Sequence, residues 1–393
     1  MLCDGAVNCT KEQKENLRRG LSKEMECLLD EFVRIRIEDD RIDVTGEWKA
    51  SENLPSLRMN LFPDIFQENL HVRFSNLKLL LEGKSIKCSK LSLVNVLVNS
   101  RARVFETYCT QCQQCSLTIE NSTFTGGMKE DSPFFEVFDC VIKIVNVTDS
   151  TFNGIMGNNS NIFILHSYRS PDAINQAYFT SNAFLHNSVS ILIQSFFNTT
   201  FIGNIFKHNQ ATGDFLDIKN FIKFTRNDVS FNICKKSLIY LRWMTNATFN
   251  SNNFFSNTAQ RLITRNWWFS SSMLMNSSIP NNQKFWSKTN QIHILNDTYK
   301  ENRIDKYFRV RDFGFTIENC IFQYNYDMSN STCPLMNLQA LDYTKFFRCK
   351  IYIADEALNV LLNQLCPALK RIQNKDFVRI YPTFISKSKK SHS

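Results

Sequence analysis

The side chains whose types and spacing suit chemistry are few. Asp214 and Asp217 lie three apart, and Glu318 and Asp342 each follow an apolar residue, Ile317 and Leu341, that recurs along the chain. Carboxylates converging from neighbouring chain segments are what a calcium site or an acid and base pair requires. A solvated carboxylate on a strand edge is the plainer reading of both sets. His186 and His208 hold equivalent places in successive copies of a repeat, yet no carboxylate shares that place, so two surface imidazoles are expected rather than a metal or catalytic pair. Phosphate-cradling glycine loops, nucleophile elbows and metal-binding helix motifs are lacking. The expectation is therefore no catalytic, cofactor-binding or metal-ligating residue, and no cofactor.

The chain carries 13 cysteines, and their spacing is irregular except for Cys109-x-x-Cys112-x-x-Cys115. Zinc needs a fourth ligand near such a run, and neither Cys nor His follows it closely. Nine Asn-x-Ser/Thr sequons occur, at Asn8, Asn121, Asn146, Asn158, Asn198, Asn246, Asn276, Asn296 and Asn330. Composition alone gives about six, so they support export only weakly.

What must position any such group is a repeat. Four segments have one form: Phe179-x-x-Asn182-x-Phe184-x-x-Asn187, Phe201-x-x-Asn204-x-Phe206-x-x-Asn209, Phe224-x-x-Asn227-x-Val229-x-x-Asn232 and Phe249-x-x-Asn252-x-Phe254-x-x-Asn257. Their first residues are 22, 23 and 25 apart. Extrapolating that period gives weaker copies led by Met273 (with Asn276 and Asn281), Ile294 (with Tyr299 and Asn302), Ile317 (with Phe322 and Asn325) and Leu341 (with Phe346). Backwards, Val147 with Phe152 and Ile119 with Phe124 fit at spacings of 32 and 28, as coils that carry an inserted loop.

An apolar residue, an Asn three on and an apolar residue two beyond that do not share a helical face. They fit a short strand, a sharp bend and a second strand. Asn tolerates the left-handed bend, and stacked copies hydrogen-bond as a ladder. The expected fold is all-β, a right-handed parallel β-helix solenoid of about ten coils, stacked about 4.8 Å apart into a rod on the order of 50 Å long. The ladder asparagines are Asn182, Asn187, Asn204, Asn209, Asn227, Asn232, Asn252, Asn257 and Asn325.

Open solenoids need caps. Residues 10 to 33 read as an amphipathic helix, with Thr10 and Gln13 as a capping box and Leu17, Leu21, Met25, Leu28 and Phe32 as its stripe. A short C-terminal helix is expected from Asp355 to Leu365, with Leu358, Leu361, Leu362 and Leu365 on one face and Pro367 as its stop. The domains are then residues 1-115, an N-terminal cap helix and irregular first coils; 116-350, the β-helix; and 351-393, a C-terminal capping helix and basic tail. Within 34 to 115, strands such as Leu91 to Val98 have no convincing register. Cys112 and Cys140 each precede their coil's lead residue by seven, which makes them neighbours on adjacent coils and a candidate disulfide, with two buried thiols as the alternative.

The twin Phe-x-x-Asn signature over residues 116 to 350 resembles the repeats of polymorphic-outer-membrane-protein (Pmp-like) adhesins and, more broadly, the pectate-lyase-like right-handed β-helix superfamily. The Gly-Gly-Ala element of those adhesin repeats is replaced here by Gly126-Gly127-Met128. The resemblance implies the solenoid, and it brings two functions into view: adhesion, and the polysaccharide lyase or glycoside hydrolase chemistry found on this superfold.

The formal charge is +9, of which residues 366 to 393 supply +6 through seven Lys or Arg against Asp376. A solvated tail is expected there, and no nucleic acid partner. No stretch of 18 uncharged apolar residues exists, so no transmembrane segment is expected, and the first residues lack the pattern of a secretory signal. Sequons and cysteines point to the cell surface or the extracellular space, which a chain truncated at its start would reconcile with that N-terminus. The expected role is a non-catalytic cell-surface or scaffold module that binds a glycan or protein partner along its flank. The alternative is a carbohydrate-active enzyme with its site on the loops inserted between Ile119 and Phe179.

Overall fold

A computed structural model describes residues 25–30, 33–38, 41–46, 54–59, 70–81, 86–101, 103–107, 114–127, 132–137, 142–166, 175–242, 246–266, 291–310, 314–323, 336–338, 344–347, 350–354 and 379–383. These residues are strands and the short bends between them, and no helix occurs among them. The strands fall into two long sheets of 25 and 12 strands, in which nearly every pairing is parallel and joins one repeat to the next. This is the arrangement of a β-solenoid.

One coil illustrates the rest. Asn175–Thr180 and Ala183–Leu185 lie in the first sheet, and Ser188–Ser195 crosses to the second before Asn198–Ile202 begins the next coil. Side chains alternate in and out along each strand. The lead residues form one inward column, Ile119 beside Val147, then Phe179, Phe201, Phe224, Phe249, Ile294 and Ile317. All are fully buried. The second apolar residue of each copy makes a parallel column of rings, with Phe124, Phe152, Phe184 and Phe206 stacked at 4.9, 4.7 and 4.9 Å. Those separations repeat the strand spacing, so ring packing and backbone pairing reinforce one another, each aromatic pair adding about 1 kcal/mol.

Val229 interrupts that column. The Phe224 ring tilts by 59° from Phe201 and lies within 24° of the planes of both Phe206 and Phe254, each 6.2 Å away, turning into the room that the smaller side chain leaves. The core adapts through the lead ring, and the coil spacing is kept.

Two bends in each coil are made by residues with positive φ. Ser181, Gly203, Arg226, Ser251 and Asn296 form the first column (φ 55, 64, 55, 58 and 56°), and His186, His208, Phe231, Ser256 and Glu301 the second (51, 56, 56, 50 and 55°). The repeated Asn does not itself adopt the left-handed conformation, contrary to expectation. The outward-facing residue just before it does, and its amide bonds to the next coil, as Ser181 N does to Ile202 O at 2.9 Å. The side chain of the Asn closes the bend instead.

Several sequence expectations are corrected. Residues 10 to 33 do not form one helix, because Met25–Asp30 and Val33–Glu38 are antiparallel strands. The alternation Val33-Arg34-Ile35-Arg36-Ile37 buries Val33 and Ile35 and exposes the arginines, a period of two that the helical stripe overlooked. Val33–Glu38 pairs antiparallel with Arg41–Gly46, and Arg41–Gly46 pairs parallel with His71–Leu81, so the chain enters the solenoid through a meander. Residues 34 to 115 do have a register, since Leu91 pairs with both Val72 and Leu117.

The copy led by Met273 is no coil of this ladder. Phe249 pairs directly with Ile294, which leaves no space for a strand between them. At the far end Ile317 pairs with Phe346 and Phe322 with Ile351, so Phe346, and not Leu341, holds the lead place. Arg379–Thr383 of the basic tail adds a parallel strand beside Lys350–Ala354. The proposed C-terminal helix lies outside the described residues.

Candidate functional site

The repeated asparagines build two internal ladders. In the first, Asn204 Oδ1 accepts from Asn182 N at 2.9 Å and from Asn182 Nδ2 at 3.0 Å, and Asn182 Nδ2 also donates to Val147 O at 2.8 Å. Asn204, Asn227 and Asn252 repeat this with their neighbours. In the second, Asn187, Asn209, Asn232 and Asn257 do the same and end on Asn302. All are buried, and each amide's acceptor and donor capacity is spent on adjacent coils. These residues are structural, and none faces a ligand. Asn325 lies outside the described residues.

The first ladder runs further than its asparagines. Ser150 N donates to Asn182 Oδ1, Ser122 N to Ser150 Oγ and Val96 N to Ser122 Oγ. At the other end Asp297 takes the place of Asn: its Oδ1 accepts from Asn252 N at 2.7 Å and Nδ2 at 3.0 Å, and its Oδ2 accepts from Tyr299 OH at 3.1 Å. Burial pushes the Asp297 carboxyl up to about 7 against the pull of those hydrogen bonds.

The chemistry-bearing residues singled out in the sequence do not converge. Asp214 Oδ1 accepts from Ser237 N on the next coil at 3.0 Å. Glu318 pairs with Phe347, which removes Asp342 from its column, and residues 339–343 lie outside the described region. The His186 and His208 rings do stack, 5.0 Å apart with planes 6° from parallel. Parallel planes aim their nitrogens side by side, so the pair as placed does not converge on an ion. Among the described residues no group of three His, Cys, Asp or Glu side chains suits a metal ion. Cys112 and Cys140 lie outside the described residues. Cys115 is disulfide-bonded, whereas Cys88 and Cys234 are buried thiols pushed up to about 12, too high for a reactive thiolate.

Alternation in the second sheet creates a cluster that the sequence reading missed. Phe105–Thr107 and Phe135–Val137 set Glu106 beside Glu136 on adjacent coils, and Lys87 pairs with Glu106 on the coil before. Arg103 Nη1 lies 2.7 Å from Glu106 Oε2 and 2.8 Å from Glu136 Oε2, so a single nitrogen holds both carboxylates. Lys87 Nζ is 3.8 Å from Glu106 and His166 Nε2 3.5 Å from Glu136. One guanidinium thus offsets the repulsion of two stacked carboxylates. Aligning Val104-Phe105-Glu106-Thr107 with Phe134-Phe135-Glu136-Val137 exposes the pair in the sequence.

The same flank continues across later coils. His166 packs on Phe196 at 5.6 Å, and Lys219 Nζ stands 3.0 Å from the Phe196 ring centre. Asp217 accepts from Arg242 Nε at 2.7 Å and Gln194 Nε2 at 3.1 Å, and Arg242 lies over Tyr240. Burial raises Asp217 despite the Arg242 and Lys219 charges, and it lowers Lys219 to about 8. A stripe of charged and aromatic groups, mostly part-buried and with Asp217 fully buried, therefore runs along the solenoid from Lys87 to Arg242.

No family model, curated protein or solved structure matches this chain.

Proposed function

We propose that the chain is a non-catalytic surface or scaffold module whose second-sheet flank binds an extended glycan or protein partner. The observation that carries this reading is the stripe from Lys87 to Arg242, in which the part-exposed Glu106 and Glu136 are held by Arg103 and Lys87, and the buried Asp217 anchors the part-exposed Arg242. A surface whose charges are already paired is preorganised for contact, with little ordering cost on binding. Its direction along the axis suits a partner as elongated as the solenoid. Right-handed winding, as in the pectate-lyase-like superfamily, is part of the proposal and follows the strong chirality of parallel crossovers. So is an extracellular location, which the Cys115 disulfide and the sequons support.

A second reading, carbohydrate hydrolysis, rests on Glu106 and Glu136 meeting at one nitrogen, since paired carboxyls this close suit a retaining mechanism. Arg103 stands between them, where a substrate would have to enter, and this favours binding over catalysis. Immobilised full-length chain titrated with polygalacturonate, xylan and chitin oligomers tests both. Retention of at least one polymer, weakened tenfold or more by Lys87→Glu with Arg103→Glu and unchanged by Arg226→Glu on the first-sheet bend, supports the binding reading. Equal retention by all variants sinks it. Release of reducing ends, abolished by Glu136→Gln, establishes hydrolysis instead.

A further inference from the structure

Among the described residues, the ladder asparagines and the sequon asparagines differ in the direction of their side chains. Those of the ladders point inward and are followed two residues later by a core residue, as Asn182 is by Phe184 and Asn204 by Phe206, so none of them begins a sequon. Among the sequons, Asn121, Asn198, Asn246 and Asn296 are exposed and Asn146 is half-exposed. The strand period explains the sorting. In Asn198-Thr199-Thr200 and Asn246-Ala247-Thr248 the middle residue is buried in the core while Asn and the Thr two residues on both face out. Asn121 and Asn296 occupy the same left-handed bend column, each followed by a buried ladder residue, Ser122 and Asp297, and then by an outward Thr. Each of the four therefore presents both the acceptor amide and the hydroxyl of its sequon on one surface.

We propose that Asn121, Asn198, Asn246 and Asn296 are N-glycosylation sites, a proposal that rests on the extracellular part of the reading above. The donor is an oligosaccharide carried on a polyprenyl diphosphate. A bond forms between Asn Nδ2 and sugar C1 as the bond from C1 to the phosphate oxygen breaks; polyprenyl diphosphate leaves with the electron pair, and a base of the transferase takes the amide proton. The substituted amide keeps one N–H, which is available for the hydrogen bond from Asn296 Nδ2 to Asn250 Oδ1, 3.2 Å. A glycan on a ladder asparagine has no such outlet, because both of its amide protons are already donated inside the solenoid. All four sites belong to the first sheet and its bend, and none lies in a strand of the second sheet.

The test is secretion of the full chain behind a eukaryotic signal sequence, digestion with peptide-N-glycosidase in heavy-oxygen water, and peptide mapping. Heavy aspartate at positions 121, 198, 246 and 296 is the expected result, with Asn198→Gln and Asn246→Gln, and Thr123→Ala and Thr298→Ala for the two sites on left-handed bends, each losing one glycan while the melting temperature stays within about 1 °C, as surface substitutions do. Unmodified peptides at all four positions in secreted, folded protein would overturn the proposal, as would a fall in melting temperature comparable to that of Asn204→Ala. Retention of polysaccharide by protein that lacks these glycans would tell against the sites alone. Glycosylated protein that retains no polymer would tell against the binding reading alone.

Discussion

The coils from Asn175 to Asn257 and those from Gln114 to Asn153 solve the same problem with different residues. In the later coils each bend is closed by Asn, which accepts from the preceding coil's N–H and side-chain amide and donates twice. In the earlier coils Ser150 only accepts from Ser122 N, and its single proton goes to Thr148 O in its own coil. What the place demands is therefore an acceptor for the preceding amide. The donor bonds are additional strength, and they accompany the regular spacing of the asparagine coils, whereas the serine coils carry the longer insertions. Asp297 agrees with this, being an acceptor alone.

The contrast is tested most severely by Asn204→Ala. That substitution strands Asn182 N, one proton of Asn182 Nδ2 and Phe179 O in the interior, and we expect a loss of about 3 kcal/mol in urea unfolding. Ser150→Ala removes fewer bonds and is expected to cost about 1 kcal/mol by the same measurement. A similar loss from the two variants would mean that the donor bonds add nothing.

Asp297→Asn probes the same contrast from the other side by restoring the amide. The folded carboxyl titrates near 7 and an unfolded one near 3.8, so the folded state binds more protons between those values and stability falls as pH rises through that window. The variant is expected to raise the melting temperature by about 2 °C at pH 8, with the gain shrinking as pH falls from 7 towards 4. A gain independent of pH would show that the Asp297 charge costs nothing.

Regular coils are legible because their alternation and bends are local. Phe179 through Asn257 announce strand, bend and strand in each copy, and the same logic placed Phe124 and Phe152 correctly. It failed where another residue type meets the same demand. Ser122, Ser150 and Asp297 satisfy the ladder without displaying Asn, and the early strands His71–Leu81 and Lys90–Ser100 bend at Asn76 and Asn95 without the paired Phe. It also failed where an insertion mimicked the period, as at Met273.

The flank was the least legible part. Glu106 and Glu136 are separated by more than the interval of the asparagine coils, and what joins them is the pairing of Phe105 with Phe135 in the second sheet. The order of residues was enough to specify the parallel coils, the two inward columns and the asparagine ladder, because each follows from a period of two interrupted by a bend. It took the folded chain to establish which coils are neighbours across insertions, that Phe249 meets Ile294, and that Arg103 stands between two carboxylates. Loop length does not alter strand pairing, so contacts between coils cannot be counted off along the chain.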